Sequence, residues 1–311
     1  MNVAELVRVT CPLCGGGAAK YERDLAGFTL ERCSNCGLVY TNPRPTEEML
    51  SQHYSGADGE KLIAHYSRVV TPSVLAQFNR TLDRIESGMP AKGRLLDLAC
   101  AAGYFYEQAS LRGWEAHGAD LGEWALEATR LRGVSNMHIG TLADIGFPER
   151  HFDVVHSAQM LEHLTDPLAV LNEVKRIIRP GGLLYVDVPN YHTLTIRMGR
   201  DDFWLNKPPE HLNYFTPKTL TRLLSQSGFR DICISSGGGL KWENFLGRRI
   251  QRDVSLGDSS GPTSHTLAVA GSPRASIRSR IRSTVKSALV EPVFYRWLKA
   301  GMCLTAIARM P

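Results

Sequence analysis

The sequence predicts an α/β protein in which a doubly wound parallel sheet follows a small N-terminal unit. Between residues 93 and 190, short apolar segments of strand length alternate with segments of helical periodicity, which is typical of a parallel sheet covered by helices on both faces. Ahead of this region, four cysteines occur as two close pairs and indicate a separate small unit. Hydrophobic residues make up 43% and charged residues 22% of the 311 residues, a composition that excludes a disordered or fibrous chain.

The positive charge of the chain is concentrated near its C-terminus. The formal net charge is +5, yet residues 1–270 carry 28 basic and 30 acidic side chains, so this part of the chain has a small negative charge. A nucleic-acid enzyme usually carries basic residues across its working face, so we expect no nucleic-acid partner. The sequence shows neither an apolar run of 18 residues nor the pattern of a secretory signal, and we expect a cytoplasmic protein.

The N-terminal cysteines have the spacing of a zinc site. They form two Cys-x-x-Cys pairs separated by 18 residues, namely Cys11, Cys14, Cys33 and Cys36. Two residues between thiolates allow one turn to direct both sulfurs at a tetrahedral ion, and a glycine follows each pair. Because four thiolates leave no open coordination position, we expect a structural Zn²⁺ in a zinc ribbon over residues 1–45. A redox dithiol and a nucleic-acid-binding ribbon are the alternatives.

The elements after the cysteines follow from local patterns. A hairpin over 21–30 and a strand over 37–40 complete the ribbon, and residues 46–90 form a helical linker or cap. Within that cap, an N-cap at Thr46 starts one helix, and apolar residues at helical spacing predict a second over 72–86. The core then alternates between strands at 94–98, 115–120, 137–140, 152–158 and 182–188 and helices at 104–112, 123–132 and 167–178.

The loop after the first core strand carries the first functional motif. The strand ends near Asp97, and Gly103 is the one glycine of the turn that follows. The pattern resembles motif I of class I S-adenosylmethionine (SAM) methyltransferases, in which the loop reads Gly-x-Gly-x-Gly; Ala99 and Ala101 stand in the first two glycine places here. The resemblance implies a Rossmann-like, seven-stranded methyltransferase sheet with SAM as cofactor, and it implies that Asp97, Ala99, Ala101 and Gly103 surround the methionine part of SAM.

A second acid follows at the family's motif II position. Asp120 lies 23 residues after Asp97, where a carboxylate can accept both hydroxyls of the adenosine ribose. The resemblance places further cofactor contacts at Leu121, Leu142 and Ala158, with Asp144 as another candidate. Trp124 either forms a wall for adenine or packs within its own domain.

Later motifs extend the resemblance. The stretch 152–164 contains the family's Leu-Glu-His signature, and Arg179-Pro-Gly-Gly182 leads into the fifth strand. Residues 188–190 and 208–216 are similar to the subset that joins a zinc ribbon to this core and is often found among enzymes acting on sugars and polysaccharides. The resemblance therefore implies SAM-dependent O- or C-methylation of a small molecule, such as a sugar or a nucleotide-linked sugar.

Two histidines are candidates for the base that an acceptor hydroxyl or acidic carbon needs. His163 follows the fourth strand, with Glu162 beside it; the alternative is that this pair only holds the loop by hydrogen bonds. His211, flanked by Glu210 and Tyr214, belongs to a loop expected to cover the acceptor site, and it too can have a purely structural role.

The C-terminal region leaves alternatives open. The family's closing antiparallel strand is expected at 302–309, with 266–270 as the alternative. We therefore expect a SAM-binding core over 91–239, a helical insertion or lid over 240–300 and a closing strand within 301–311. A basic amphipathic helix over 277–299 either packs on its own domain or contacts a membrane, which would suit a lipid-linked sugar acceptor.

Two other function classes compete with this interpretation. One is a non-enzymatic zinc-ribbon scaffold in which the alanines have closed the cofactor loop. The other is a nucleic-acid methyltransferase. Family members that methylate nucleic-acid amino groups commonly carry an Asn/Asp-Pro-Pro-aromatic phrase after the fourth strand, where this chain has His156-Ser-Ala-Gln.

Overall fold

The computed structural model describes residues 6–50, 58–193, 196, 207–237 and 302–311. The strands are β1 (Ala19–Leu25), β2 (Phe28–Cys33), β3 (Val39–Thr41), β4 (Arg94–Leu98), β5 (Glu115–Asp120), β6 (Met137–Ile139), β7 (Phe152–Ala158), β8 (Ile178–Pro189), β9 (Asn213–Tyr214), β10 (Arg230–Gly237) and β11 (Cys303–Arg309). The helices are α1 (Gly59–Val69), α2 (Pro72–Ser87), α3 (Tyr104–Leu111), α4 (Glu123–Arg130), α5 (Leu142–Ile145), α6 (Pro167–Ile177) and α7 (Pro217–Gln226), with a 3₁₀ turn at Leu161–His163.

The larger sheet has seven strands in the order β10-β11-β8-β7-β4-β5-β6. β4 pairs in parallel with β5 and β7, β5 pairs in parallel with β6 and β7 with β8, whereas β11 is antiparallel to both of its neighbours. The predicted doubly wound seven-stranded sheet is therefore confirmed. β11 occupies the closing position, and the alternative segment 266–270 lies outside the described residues, as do the predicted insertion and its basic helix.

The parallel strands are buried on both faces because helices cover each side of the sheet. On one side α2 contributes Leu82 and Ile85, which are fully buried, and Phe78 packs beside them. α1 precedes this helix and was not predicted from the sequence. Asp58 caps α1 by accepting a hydrogen bond from the Lys61 amide at 3.1 Å. No α1 residue is fully buried, although Leu62, Ile63 and Tyr66 are partly buried.

The fifth strand of the core is longer than predicted. β8 begins at Ile178, and its pairing with β7 slips between Phe152 and Val154. Gly181 has φ of +73°, and a side chain at Gly182 would meet Ile178 Cγ2 at 2.7 Å. The glycines therefore let the chain kink within the strand, where the sequence predicts a turn before it.

The smaller sheet joins the N-terminal unit to a later part of the chain. Its order is β1-β2-β3-β9, with every neighbouring pair antiparallel. The β1–β2 hairpin turns at Ala26 and Gly27, which both have positive φ, as a two-residue hairpin turn requires. The sequence predicts the first three strands but not β9, which comes from residues 213–214.

None of the helices in the described ranges is long and apolar enough to cross a lipid bilayer.

A histidine cluster lies on β5 and β6 and just before β7. His117 Nδ1 and His138 Nε2 are 3.2 Å apart, and His151 packs against the His117 ring with centroids 6.2 Å apart. Burial lowers the pKa of His117, and the positive charge of a protonated His138 lowers it further. Burial also lowers the pKa of His138 and of His151. The fold therefore favours the neutral form of all three rings.

This cluster predicts a loss of stability in mild acid. Below about pH 6.5, the ordinary histidine pKa, the unfolded chain binds protons that the folded cluster resists, so the free energy of unfolding falls as the pH falls toward the lowered pKa values. Each histidine contributes at most about 1.4 kcal/mol per pH unit. We expect denaturant unfolding at pH 7.5 and 5.5 to show this loss, and His138→Phe to reduce it. His65→Gln, on the exposed face of α1, serves as control and should leave the pH dependence unchanged; an unchanged slope in His138→Phe would contradict the prediction.

Candidate active site

The four N-terminal cysteines lie together. Their sulfurs are all within 4.8 Å of one another, Cys11 and Cys36 Sγ are 3.4 Å apart, and Cys14 and Cys33 Sγ are 3.5 Å apart. Tetrahedral zinc with Zn–S bonds of about 2.3 Å requires sulfurs about 3.8 Å apart, and none of these cysteines forms a disulfide. The cluster is therefore compatible with a structural zinc.

Backbone amides favour a thiolate in this cluster. Burial tends to raise the pKa of Cys33, but hydrogen bonds from the Cys36 and Asn35 amides outweigh it and lower the pKa to about 7. Burial raises the pKa of Cys36 to about 11 and also raises that of Cys11. A cation at the centre of the four sulfurs would offset this cost of burying thiolates.

The ribbon directly holds the loop that carries His211. Thr41 Oγ1 donates to the His211 carbonyl at 3.0 Å, and the Thr41 amide donates to the Leu212 carbonyl at 3.0 Å. β3 and β9 then pair through Val39 with Tyr214 and Tyr40 with Asn213. The position of His211 thus depends on the folded ribbon, although the two segments are about 170 residues apart in the chain.

Asp97, near the end of β4, is buried beside a histidine of the neighbouring strand. Its Oδ1 lies 2.7 Å from Nδ1 of His156 on the neighbouring strand β7. The His156 ring stacks on Phe105 with centroids 3.7 Å apart. Burial raises the pKa of Asp97, and the partner His156 opposes that rise. The sequence predicts Asp97 as a cofactor contact, and its partner His156 was missed because its side chain meets Asp97 only through strand pairing.

The loop after β4 has the left-handed backbone of a glycine-rich turn, although alanine stands in two of the three glycine places. Ala99 has φ of +59° and Ala101 has φ of +50°, and Gly103, with φ of +77°, is the N-cap of α3. A side chain at Gly103 would meet the Tyr106 ring at 2.6 Å. The two alanines therefore accept a left-handed conformation that costs an L-residue roughly 1 kcal/mol each.

Restoring glycine should therefore be tolerated where alanine is strained. For Ala99→Gly and Ala101→Gly, the strain released is about as large as the roughly 0.5–1 kcal/mol that glycine costs through its freedom in the unfolded chain. We expect the free energy of unfolding, measured by denaturant titration, to stay within about 0.5 kcal/mol or to rise. Ala102→Gly is the matched control, since Ala102 is buried in the same loop without positive φ. It should lose about 1 kcal/mol; equal losses in all three variants would contradict the prediction.

Asp120 links two loops at the end of β5. Its Oδ2 accepts from the Ala101 amide at 2.9 Å, and its Oδ1 accepts from the Gly122 amide at 3.0 Å. A carboxylate oxygen has two acceptor positions, so each oxygen can still accept a ribose hydroxyl. The carboxylate, the left-handed turn and the uncapped start of α3 together fit the ribose and methionine parts of SAM.

The other predicted cofactor contacts occupy different environments. Leu121 is 60% exposed beside Asp120, whereas Leu142 is buried against the core. Ala158 is half-buried at the end of β7. Asp144 forms a capping box with Thr141 at the start of α5, which gives it a structural role. Leu121 and Leu142 remain predictions as adenine contacts.

An aromatic pair covers the region next to Asp120. Tyr66 of α1 stacks on Trp124 of α4, with ring centroids 5.5 Å apart at an angle of 15°. Burial raises the pKa of Tyr66, and the negative charge of Asp120 raises it further. Trp124 thus packs against α1. Tyr66 was missed because the sequence predicts no helix at α1.

Glu162, His163 and His211 form a second cluster, on the 3₁₀ turn after β7 and in the loop before β9. One ligand-type atom from each residue lies within 4.8 Å of the others, and the two imidazole rings meet edge to face with centroids 4.7 Å apart. We call this the Glu-His-His cluster. Strands β4 and β7 are parallel neighbours, so the cluster and the Asp97 loop lie at the same edge of the sheet.

The Glu162 side chain is buried within this cluster. It is 1% exposed, and neither carboxylate oxygen is hydrogen-bonded within the described part of the chain. Burial, with the nearby charge of Asp187, raises the pKa of Glu162 to about 8. Its backbone is fixed, because the Leu212 amide donates to the Glu162 carbonyl at 2.7 Å. An unpartnered buried carboxyl is costly and indicates that a further group is expected there.

Of the two remaining predicted residues, Glu210 joins the Glu-His-His cluster through its main chain, and Tyr214 lies away from it. The Glu210 backbone carbonyl accepts from His163 Nδ1 at 2.9 Å, so Glu210 contributes its main chain to the cluster. Tyr214 is buried on the ribbon side, where its ring contacts Tyr191 at 5.4 Å. Because neighbouring side chains on a strand face opposite ways, Asn213 and not Tyr214 faces the 3₁₀ turn, where it donates to the Leu161 and Leu164 carbonyls.

Comparison with known proteins decides the family. A family model described as a methyltransferase domain matches residues 70–234, more than half of the chain. The chain belongs to this methyltransferase family. It is a SAM-dependent methyltransferase, and the residues at the end of β4 and β5 fit that cofactor.

Curated relatives match the same part of the chain. The ubiquinone biosynthesis O-methyltransferase of Dinoroseobacter shibae is 31% identical over 176 residues, which cover 52% of this chain and 69% of that protein. The protein of the same name from Cereibacter sphaeroides is 30% identical over 171 residues, which cover 51% of this chain and 68% of that protein. The matched lengths leave nearly half of this methyltransferase outside each alignment.

Solved structures share the fold. A SAM-dependent methyltransferase from Archaeoglobus fulgidus has a TM-score of 0.50 at 18% identity, covering 85% of this chain and all of that chain. Phosphoethanolamine N-methyltransferase 2 of Haemonchus contortus, in complex with SAM, has a TM-score of 0.50 at 16% identity, covering 88% of this chain and 63% of that chain. At these identities the likeness shows the fold alone.

Proposed function

We propose that this methyltransferase transfers the methyl group of SAM to a hydroxyl oxygen of a small-molecule acceptor. The observation that carries the proposal is the Glu-His-His cluster, a buried group of proton-accepting atoms at the same sheet edge as the cofactor loop. The names of the curated relatives, which are O-methyltransferases, support oxygen as the acceptor atom. When bound, SAM supplies an electrophilic methyl carbon, so the protein has to orient the acceptor and take up its proton.

The residues divide this work between two sites. Asp120 binds the ribose hydroxyls, while Asp97 and the 99–103 turn hold the methionine end. The Glu-His-His cluster receives the acceptor hydroxyl and favours loss of its proton. The buried surroundings of Glu162 keep water from the hydroxyl oxygen, so that the acceptor is the nucleophile that reaches the methyl group.

The four cysteines and the domain organisation are part of this proposal. A structural Zn²⁺ held by the cysteines keeps the ribbon folded, and the ribbon places His211 through Thr41. In this organisation, a ribbon (1–45) and a helical cap (46–90) precede the cofactor core (91–239), and an insertion (240–300) precedes the closing strand. A sugar, a nucleotide-linked sugar or a lipid-linked sugar remains the predicted acceptor class; the subset resemblance in the sequence supports it.

An acceptor screen tests this function. Zinc-loaded enzyme with isotopically labelled SAM would be offered phenols and catechols in one arm and nucleotide-linked sugars in another. We expect a labelled methyl ether in one arm, identified by mass spectrometry and by stability of the label to mild base. Label on nitrogen or carbon, or transfer only to added RNA, would contradict the proposal.

A further inference from the structure

A cavity lined by positive charges lies where the second cysteine pair of the ribbon meets the start of α7. Its volume is about 320 Å³. Three cationic side chains line it, Lys20 of β1, Arg32 of β2 and Lys218 of α7, together with the turn at residues 33–37. Among the residues that the structure describes, its lining includes no carboxylate. We call it the basic cavity.

The fold brings the three cations together from different elements. Lys20 and Arg32 are directly opposite each other in the β1–β2 hairpin, so their side chains lie on the same face. Leu38, just after the 33–37 turn, belongs to the same buried cluster as Leu220 of α7. This packing sets the turn against α7 and brings Lys218, in the first turn of that helix, to the cavity. The basic cavity therefore spans the junction between the ribbon and the larger domain.

Arg32 keeps donors for a ligand after its own pairing. Its Nε and Nη2 donate to Glu22 at 2.8 and 2.6 Å, and its Nη1 donates to the Gly37 carbonyl at 3.3 Å. A guanidinium has five N–H bonds, so one N–H on each Nη remains. The three bonds hold the plane of the guanidinium, and a fixed fork of donors binds an oxyanion with a smaller loss of side-chain entropy.

The two lysines have no carboxylate partner in the described ranges of the chain. Lys20 is directly opposite Arg32, and like charges in such a pair destabilise a hairpin. Glu22, the nearby acid, is already bonded twice to the Arg32 guanidinium. An anion bound between the three cations would offset their repulsion, so the arrangement favours a negatively charged ligand.

The thiolates of the ribbon are the other negative charges beside the basic cavity. Cys33 and Cys36 belong to its lining. The Cys33 sulfur already accepts hydrogen bonds from the Cys36 and Asn35 amides, and neither lysine hydrogen-bonds to a cysteine sulfur in the part of the chain that is described. Balancing the charge of the thiolates is the alternative role for the lysines, and the zinc content of lysine variants distinguishes the two roles.

We infer that the basic cavity binds the phosphate group of a small molecule. A phosphate group carries up to two negative charges and three terminal oxygens, which suits cations that converge from three elements, whereas a carboxylate is planar and has only two oxygens. Ser34 and Asn35 add side-chain donors to the lining. A cavity of this size suits a small ligand, while single-stranded nucleic acid occupies a groove several nucleotides long. The bound group would join the ribbon to α7, and its binding does not depend on the proposed function.

Calorimetric titration of the full-length, zinc-loaded protein at low ionic strength tests this site. The probes are inorganic phosphate in one arm and a nucleoside diphosphate, UDP, in the other. We expect one bound ligand per chain; saturation by inorganic phosphate identifies the free ion as a ligand, and saturation by UDP alone identifies a phosphate ester. K20Q and K218Q should each weaken binding roughly 10-fold or more, because each removes a charge-assisted hydrogen bond. K61Q, which removes one positive charge from the exposed face of α1, is the matched control and should stay within about twofold.

The outcomes separate this inference from its alternatives. Folded wild-type protein that shows no saturable binding of either probe overturns the site, as does an equal loss of affinity in K61Q, K20Q and K218Q. Loss of zinc from the lysine variants, with unchanged affinity for phosphate and UDP in the fraction that retains zinc, overturns it and leaves the lysines to balance the thiolates. Binding of an RNA oligomer without binding of either small probe also overturns it. Phosphate or UDP binding by protein that methylates no hydroxyl supports the site while the proposed function fails.

Discussion

Asp120→Ala is expected to abolish cofactor binding while the protein stays folded. A carboxylate that accepts two ribose hydroxyls makes two hydrogen bonds to a charged group, each contributing about 1.5–3 kcal/mol. Losing both corresponds to roughly a 100-fold or larger rise in the dissociation constant. The variant also frees the Ala101 and Gly122 amides, which Asp120 holds at 2.9 and 3.0 Å, so the turn loses its anchor as well. Calorimetric titration with S-adenosylhomocysteine measures the effect.

Two further variants identify the cause of that loss. Asp144→Ala removes a carboxylate that caps α5, and we expect it to lower thermal stability slightly without changing cofactor affinity. Asp120→Asn keeps one acceptor oxygen and should fall between wild type and Asp120→Ala. Wild-type affinity in Asp120→Ala would place the ribose elsewhere. Failure of the folded wild-type protein to bind S-adenosylhomocysteine would favour the scaffold alternative.

Removal of the ribbon metal is expected to stop methyl transfer with little effect on cofactor binding. The ribbon has too small a core to fold without its metal. Its unfolding removes β3, to which β9 pairs, and the Thr41 contacts that hold the His211 segment. Because misplacement of a catalytic group by about 1 Å can cost 100-fold, we expect transfer to fall at least 30-fold. Asp97 and Asp120 lie on β4 and β5 of the other sheet, so cofactor affinity should change less than about threefold.

Cys36→Ser and Thr41→Val test this coupling from opposite ends. The first disrupts the metal site, and the second keeps four thiolates but removes the hydroxyl that donates to the His211 carbonyl. We expect Cys36→Ser to reproduce metal removal and Thr41→Val to lower kcat about 3- to 10-fold with unchanged zinc content. Val9, at the edge of the ribbon, supplies a control as Val9→Ala. Normal turnover in metal-free protein would show that the ribbon does not position the loop.

The two sites differ in how far local sequence determines them. Asp97 and Asp120 lie at the carboxyl ends of β4 and β5, and the carboxyl ends of parallel strands meet at one sheet edge, so their approach was predictable. The cysteine pairs are close in sequence, and their convergence needs only two turns. Glu162 and His163 were predicted as neighbours in the chain, but the complete burial of the Glu162 carboxyl depends on segments about 50 residues away.

Positions where sequence reasoning fell short share a physical cause. The apolar residues of α1 recur at helical spacing as regularly as those of α2, but the stacking of Tyr66 on Trp124 arises only when α1 packs on α4. Tyr214 is predicted beside His211, yet strand alternation turns it to the ribbon side. Alanine normally favours a right-handed backbone, so the positive φ of Ala99 and Ala101 could not be predicted from their residue type. The folded loop imposes it.

Periodicity predicts this protein's fold class, the spacing of the cysteines predicts their cluster, and the resemblance of its motifs to those of class I methyltransferases predicts its family. These features are local, since each requires only residues within one strand-turn-helix unit or one turn. Only the folding of the whole chain pairs β9 with the ribbon sheet and brings Glu162, His163 and His211 into one cluster. Those contacts join segments between about 50 and 170 residues apart, and no local pattern records which distant backbone will satisfy a given hydrogen bond.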